Sequence, residues 1–298
     1  ATRYSHPQAL VELLQESLGA EMLEAFLRAD NEITPTILHA NPLCADAQRV
    51  YDELTEQGVT LTPHPWMPDC WLAQGTGNLE RLDAFREGRV YVQDPAAHLA
   101  AMAAGVQPGM TVLDACAAPG GKSFAAAMQM KNEGRITSCD IHPHKLSLIE
   151  KGAARLGIDI VRPALQNATE RSEIFLENMD VVIADVPCSG LGVIRKKPDI
   201  RYKDLAPLEK LPALQSAILE NVSAYVKPGG VLLYSTCTVL RRENEAVCEA
   251  FLRAHPEFTQ EAFPVPARAG LENHGMLTLY PCIHDTDGFF ICKMRKQA

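Results

Sequence analysis

Residues Thr111–Ser123 read TVLDACAAPGGKS. The short apolar run TVLDA (111–115) predicts a buried strand, and residues 122–132 predict a helix. Between them Gly120 and Gly121 lack a β-carbon, so a ligand can approach the backbone closely, and the free amides at the helix start favour an anionic group. The same alternation continues along the chain. RITSCDI (135–141) predicts the next strand, and PHKLSLIEKGAARLG a helix with Pro at its start and Gly at its end. DIVRPAL is a weaker strand, while DVVIADV (180–186) and GVLLYSTC (230–237) are strong ones. Helices are expected over 207–226 and 241–254, with GFFICKMR as a last strand. The pattern predicts an α/β fold with a mostly parallel sheet covered by helices on both faces. Ligands of such sheets bind at the carboxyl ends of the strands. Asp114, Asp140, Asp185 and Cys237 all fall at such ends and are expected to share one crevice.

Upstream, Leu10, Leu13, Leu14, Leu18, Met22, Leu23, Phe26 and Leu27 follow helical spacing, and Gly19 is expected to separate two short helices. In residues 30–88, TPTILHANP predicts a strand, CADAQRVYDELTEQG a helix closed by Gly58, and VTLTPHPWMPDCWLA further extended chain. The expected division is a helical segment (1–29), a small α/β RNA-facing domain (30–88) and a larger α/β domain (89–298).

The chain has 298 residues, 47% hydrophobic and 22% charged, ordinary values for a globular protein. No apolar run approaches the length of a membrane span, and the first residues lack a signal-peptide layout, so a cytoplasmic location is expected. Beginning with Ala1, the chain is expected either to have lost an initiator Met or to continue a longer protein. Nine cysteines include no closely spaced pair of the zinc-binding kind, so no metal is expected. The net charge of −9 argues against indiscriminate nucleic-acid binding. It is unevenly spread, however. Residues 9–32 carry a local −5, whereas Arg195, Lys196, Lys197, Arg201 and Lys203 against Asp199 give a local +4. Lys293, Arg295 and Lys296 add basic charge near the C-terminus. A local patch of this kind can bind phosphates on an acidic protein.

Three ligands fit the glycine turn. A dinucleotide would want G-x-G-x-x-G, which is absent. A nucleoside triphosphate would want G-x-x-x-x-G-K-[ST]; Gly121, Lys122 and Ser123 fit, but Cys116 stands where the first glycine belongs. For S-adenosylmethionine, Asp140 lies at the tip of the second strand, where a carboxylate accepts two hydrogen bonds from ribose hydroxyls. Asp140 also reads as a cap for the helix that follows.

Cys188, in DVPCSG, and Cys237, in YSTCT, both sit just past apolar runs. They read either as small buried residues or as two parts of one reaction. A thiolate that adds to carbon 6 of a cytosine makes carbon 5 nucleophilic enough to take a methyl group; a base must then remove the carbon-5 proton so that the thiol can leave. A carboxyl group near ring nitrogen 3 would offset the developing charge, and Asp185 is placed for that.

Four ordered stretches, DACAAPGGKS, DVPCSGLGVIRKKPDIRY, YSTCTVLRRENE and DGFFICK, together resemble the Sun-type (RsmB-like) RNA cytosine-5 methyltransferases, over residues 3–295. GVIRKKPD and the opening RYSHP are most similar to the bacterial 16S rRNA branch, whose members usually carry a NusB-like RNA-binding domain before RYSHP. The resemblance implies a Rossmann-like S-adenosylmethionine-dependent methyltransferase fold, S-adenosyl-L-methionine as cofactor and RNA, chiefly 16S rRNA, as partner. It makes Cys237 the nucleophile and Cys188 the residue of product release, with Lys122 and Asp185 lining the active site. It implies cofactor contacts at Cys116, Ala117, Ala118, Pro119, Gly120, Gly121, Lys122, Asp140, Asn167 and Asp185. In the DNA cytosine-5 enzymes the cysteine of the PC motif attacks instead, but the E-N-V motif that accompanies it there is absent here. Asn167 stands where the family often has Asp, and Cys282 where His or Gln is usual. The same chemistry on tRNA or another RNA, a phosphate-loop NTPase and a non-catalytic RNA-binding module are the alternatives, and a monomer is expected.

Overall fold

The computed structural model describes residues 2–298; Ala1, where the expected helical segment begins, lies outside the described residues. α1 (Gln8–Ala29) breaks at Gly19, whose φ of 71° is non-helical, as the sequence pattern required. Its buried stripe of Leu10, Leu14, Phe26 and Leu27 packs on Leu191, Ile194, Ile200, Val239 and Leu240, the segments that follow the two cysteines. Truncating a fully buried leucine such as Leu10 costs about 2–5 kcal/mol. The N-terminal helices are thus the floor under the cysteine loops. Cys282, which the sequence left unexplained, packs against this same cluster.

The next elements are β1 (Thr36–Ala40), α2 (Ala47–Glu56, capped by Asp46), β2 (Thr60–Pro63), β3 (Cys70–Gln74), the short α3 (Asp83–Arg86) and β4 (Val90–Val92). They build an antiparallel sheet of order β2-β3-β1-β4. Its last strand follows residue 88, the boundary expected from the sequence.

The larger sheet uses α4 (Pro95–Ala103), β5 (Thr111–Asp114), α5 (Gly121–Gln129), β6 (Arg135–Asp140), α6 (Pro143–Arg155), β7 (Val161–Leu165) and β8 (Met179–Asp185). It continues through α7 (Leu211–Ser223), β9 (Val226–Thr236), α8 (Glu245–Ala254), β10 (Phe258–Gln260), β11 (Met276–Leu279), the short α9 (Pro281–His284) and β12 (Phe289–Lys296). The order is β10-β12-β9-β8-β5-β6-β7, with β11 on β12. The strands from β9 to β7 run parallel, and β12 enters antiparallel to β9.

The apolar run of β8 shows why both faces are covered. Val181 and Ile183 belong to one core, Val182 and Ala184 to the other, as the period of two dictates. All four are at most 1% exposed. From β5 the chain moves outward through β6 and β7 on one side and returns through β8 and β9 on the other. This reversal opens a crevice above the carboxyl ends of β5 and β8.

Candidate active site

The loop after β5 is tied to both neighbouring strands. The amide of Ala115 donates to the Ile183 carbonyl at 2.9 Å, and that of Ala117 to the Cys139 carbonyl at 2.7 Å. Cys116, Ala117, Ala118 and Pro119 therefore lie as a backbone loop over the sheet, with a cis Ala118–Pro119 peptide. Gly120 has φ of 113°, and a β-carbon there would sit 2.4 Å from the Phe124 ring, so the turn demands glycine. Asp114 was expected in the crevice but lies wholly buried beneath the loop. Its Oδ2 accepts from Ser123 Oγ at 2.7 Å, and Ser138 Oγ is 2.7 Å from the same hydroxyl. Burial pushes the Asp114 carboxyl up to about 7.

Asp140 ends β6 with little exposure, and its Oδ1 accepts from the His142 amide at 2.9 Å. The capping role weighed from the sequence is thus filled by one oxygen. The next residue, Ile141, is 54% exposed, and Leu165, beside Asp140 on β7, is 58% exposed. Asn167 spends its amide locally: Oδ1 accepts from the Thr169 amide and hydroxyl, and Nδ2 donates to Glu170 Oε1.

On the other side of the crevice, Asp185 is held from two directions. Lys122 Nζ donates to Oδ2 and Ser235 Oγ to Oδ1, each at 2.7 Å. Lys122 is largely buried, with its ammonium 5.0 Å from the centroid of the Phe289 ring. Burial works against its charge, but the Asp185 carboxylate outweighs this and holds it above the ordinary lysine value.

Asp185 and Ser235 are register partners on β8 and β9, so the residues just beyond, Cys188 and Cys237, meet. Their sulfurs are 3.2 Å apart. The hydrogen bond shared with Cys188 lowers the Cys237 thiol below its usual value; burial and Asp185 oppose this, and Lys122 assists it. Cys188 moves the other way, raised by that same hydrogen bond, then by burial, the charge of Cys237, and Glu243 and Asp185. The two thiols thus titrate as one pair, shifted in opposite directions.

The basic stretch departs from expectation. Lys196 Nζ is 2.6 Å from Asp94 Oδ2 and 2.8 Å from Asp287 Oδ2, and Arg195 pairs with the same two carboxylates. Arg201 is buried and donates to the Asp30 carbonyl. Lys196 is paired yet exposed, and Lys197 and Lys203 are exposed as well. Near the C-terminus, Lys293 and Arg295 pair with Glu261, and Lys296 with Glu177. Much of the expected patch is thus tied to partners distant in sequence: carboxylates for Arg195, Lys196, Lys293, Arg295 and Lys296, and the Asp30 carbonyl for Arg201. Ser235 and Phe289, which hold Asp185 and cover Lys122, were not singled out from sequence. Both lie inside quoted motifs, but nothing in a lone Ser or Phe marks it as a support.

Comparison with known proteins agrees with this layout. The family model described as 16S rRNA methyltransferase RsmB/F matches residues 101–295, and the one described as Methyltr_RsmF/B-like, ferredoxin-like domain matches residues 6–78. The chain is 38% identical to the probable ribosomal RNA small subunit methyltransferase B of Bacillus subtilis, spanning 100% of this chain and 68% of that protein. The crystal structure of PH0851 superposes with a TM-score of 0.93 at 34% identity, covering 99% of this chain and 67% of that one. NSun6 from Pyrococcus horikoshii, solved with the S-adenosylmethionine analogue SFG, shares the fold with a TM-score of 0.86 at 20% identity, covering 98% of each chain. The protein is an S-adenosylmethionine-dependent RNA (cytosine-5) methyltransferase. It belongs to the 16S rRNA methyltransferase RsmB/F family. Among the described residues no helix is long and apolar enough to cross a membrane.

Proposed function

We propose that this chain, working as a cytoplasmic monomer without a metal, methylates carbon 5 of a cytidine in 16S rRNA through a covalent Cys237–cytosine intermediate. The observation that carries the proposal is the sulfur pair at the ends of β8 and β9: Cys188 and Cys237 lie 3.2 Å apart, beside the Lys122–Asp185 ion pair, and the Cys237 thiol is lowered, chiefly by its hydrogen bond with Cys188 and with help from Lys122.

The crevice suits S-adenosylmethionine on its own chemistry. The left-handed Gly120 turn admits a close ligand, Asp140 offers carboxylate oxygen to ribose hydroxyls, and exposed Ile141 and Leu165 offer apolar cover for an adenine. Cys116–Lys122, Asp140, Asn167 and Asp185 would hold it, Asn167 through what its local turn leaves available. When bound, it supplies an electrophilic methyl group to carbon 5.

Cys237 thiolate forms a bond to carbon 6, and the ring's electron pair moves to carbon 5. Asp185, fixed by Lys122 and Ser235, faces nitrogen 3 of the extruded base and orients it, and the Lys122 ammonium beside it offsets the negative charge that the attack places on the ring. After methylation a base takes the carbon-5 proton, the electron pair returns to the ring and the carbon 6–sulfur bond breaks. Cys237 departs as a thiolate into the hydrogen bond from Cys188, which is how Cys188 serves release. The antiparallel unit formed by β1–β4, with Lys197 and Lys203, would face the RNA; three parts are proposed, 1–29, 30–88 extended to include β4, and the rest of the chain.

Bisulfite mapping of 16S rRNA after incubation with protein and S-adenosylmethionine tests the reading. A new 5-methylcytosine that requires Cys237 supports it, and an unmodified 16S rRNA beside a modified tRNA would move the substrate elsewhere.

A further inference from the structure

Two adjacent residues behind the crevice each grip one cysteine. Glu243 is fully buried, and its Oε2 accepts from the Ser189 amide at 2.9 Å and from Gln215 Nε2 at 2.9 Å. Gln215 Nε2 also donates to the Pro187 carbonyl at 3.0 Å. The backbone on both sides of Cys188 is therefore pinned through one carboxylate. Asn244, also fully buried, does the same for the other cysteine: its Oδ1 accepts from Thr236 Oγ1 at 2.6 Å, and its Nδ2 donates to the Thr238 carbonyl at 3.0 Å. Ser189 Oγ donates to Thr238 Oγ1 at 2.7 Å, locking one grip to the other. The Tyr234 hydroxyl donates to the Glu243 carbonyl, which fixes the pair itself to β9. None of these polar groups faces solvent, and Glu243 Oε1 and Gln215 Oε1 have no protein partner among the described residues. A buried carboxylate held at such cost needs a return that simple packing does not supply.

We infer that Glu243 and Asn244 are paired positioning residues, Glu243 setting Cys188 and Asn244 setting Cys237, so that sulfur separation, and with it the division between attack and release, is fixed from behind the sheet. The inference rests on the proposed covalent reaction for its kinetic consequence but not for its geometric one. Neither residue need touch RNA or cofactor.

The geometric arm uses the whole chain without RNA. Phenylarsine oxide, a trivalent arsenical that bridges two close thiols, is titrated against wild type, Cys188→Ala, Cys237→Ala, Glu243→Ala, Glu243→Gln, Asn244→Ala and Gln215→Met. Loss of either cysteine should abolish tight binding. Glu243→Ala and Asn244→Ala should each weaken it by about 10-fold or more, since roughly an ångström of misplacement is enough to lose a matched geometry. Glu243→Gln, which retains an acceptor oxygen, should recover most of it. If Glu243→Ala fails to fold, Gln215→Met, which removes the link to Pro187 at similar volume, takes its place. Affinity unchanged in folded Ala variants, with only the melting temperature lowered, overturns the inference.

The kinetic arm follows the RNA adduct on SDS gels. Glu243→Ala should accumulate it, as loss of Cys188 does, while Asn244→Ala should form it about 10-fold more slowly. Identical defects in the two variants would refute the one-residue-per-cysteine assignment. If Cys188→Ala itself gives no adduct, the covalent reading fails, and the arsenical titration still decides the positioning.

Discussion

Cys188 and Cys237 end neighbouring parallel strands, touch one another and are equally hidden, yet they are not equivalent. An ammonium, Lys122, acts on Cys237, and a buried carboxylate, Glu243, stands behind Cys188. Chemical identity is the same; the charge planted on each side differs. If the proposed reaction holds, the hydrogen bond the two thiols share and the charges planted around them, rather than any difference between the thiols themselves, would decide which one attacks.

The comparison breaks most visibly at the sulfurs. Cys237→Ala should lower methylation by about 1000-fold or more and leave no covalent RNA species, because the carbon 6 bond is never made. Full adduct in this variant would reverse the roles. Cys188→Ala should still attack but release poorly, with turnover falling by about 100-fold and an adduct surviving denaturing gels. Rapid turnover without adduct would make Cys188 a packing residue.

Lys122→Met sharpens the contrast without touching either sulfur. The Cys237 thiol is held below its ordinary value, so its alkylation by iodoacetamide should rise with pH and level off before the usual thiol range. Removing the ammonium also frees Asp185 to repel the thiolate, so the midpoint should move to higher pH, and activity near neutrality should fall by about 10-fold to 100-fold. An unmoved midpoint would deny Lys122 its part.

The smallest effect is expected on the outer side of the Cys188 loop. Lys197→Glu with Lys203→Glu should weaken RNA binding and flatten its salt dependence by about one to two in log–log slope. An equal slope would place the RNA elsewhere. Lys196→Glu is a different experiment. It sets a third carboxylate against Asp94 and Asp287, so its first symptom should be a lower melting temperature.

The parallel sheet was legible because its signals are local: β8 announces itself by an unbroken apolar run, and Gly120 by the turn only glycine can make. Cys188 and Cys237 could be paired because strand ends of such a sheet converge. The fate of Lys196 was not legible, since its carboxylates lie 102 and 91 positions away in sequence. The local turn of Asn167 was not legible for the opposite reason: its partners are the next few residues, and a short turn competes for the same amide. Glu243 and Asn244 stood in a quoted motif without a role, because only burial reveals what they grip.

Beneath Cys237 three stretches of backbone cross. The Gly192 amide donates to the Cys237 carbonyl at 3.0 Å, and the Gly288 amide to the Gly192 carbonyl at 2.7 Å. A β-carbon at Gly192 would lie 1.9 Å from the Gly288 carbonyl oxygen, so no side chain can wedge between them. During synthesis, both cysteines leave the ribosome well before Gly288 does. Until that late glycine arrives, the Cys237 loop lacks the second half of its backbone lock, and β12 has not yet covered Lys122 with Phe289. The backbone lock under Cys237 is thus completed by a residue 51 positions further along the chain, on the approach to the strand that also brings Phe289 over Lys122.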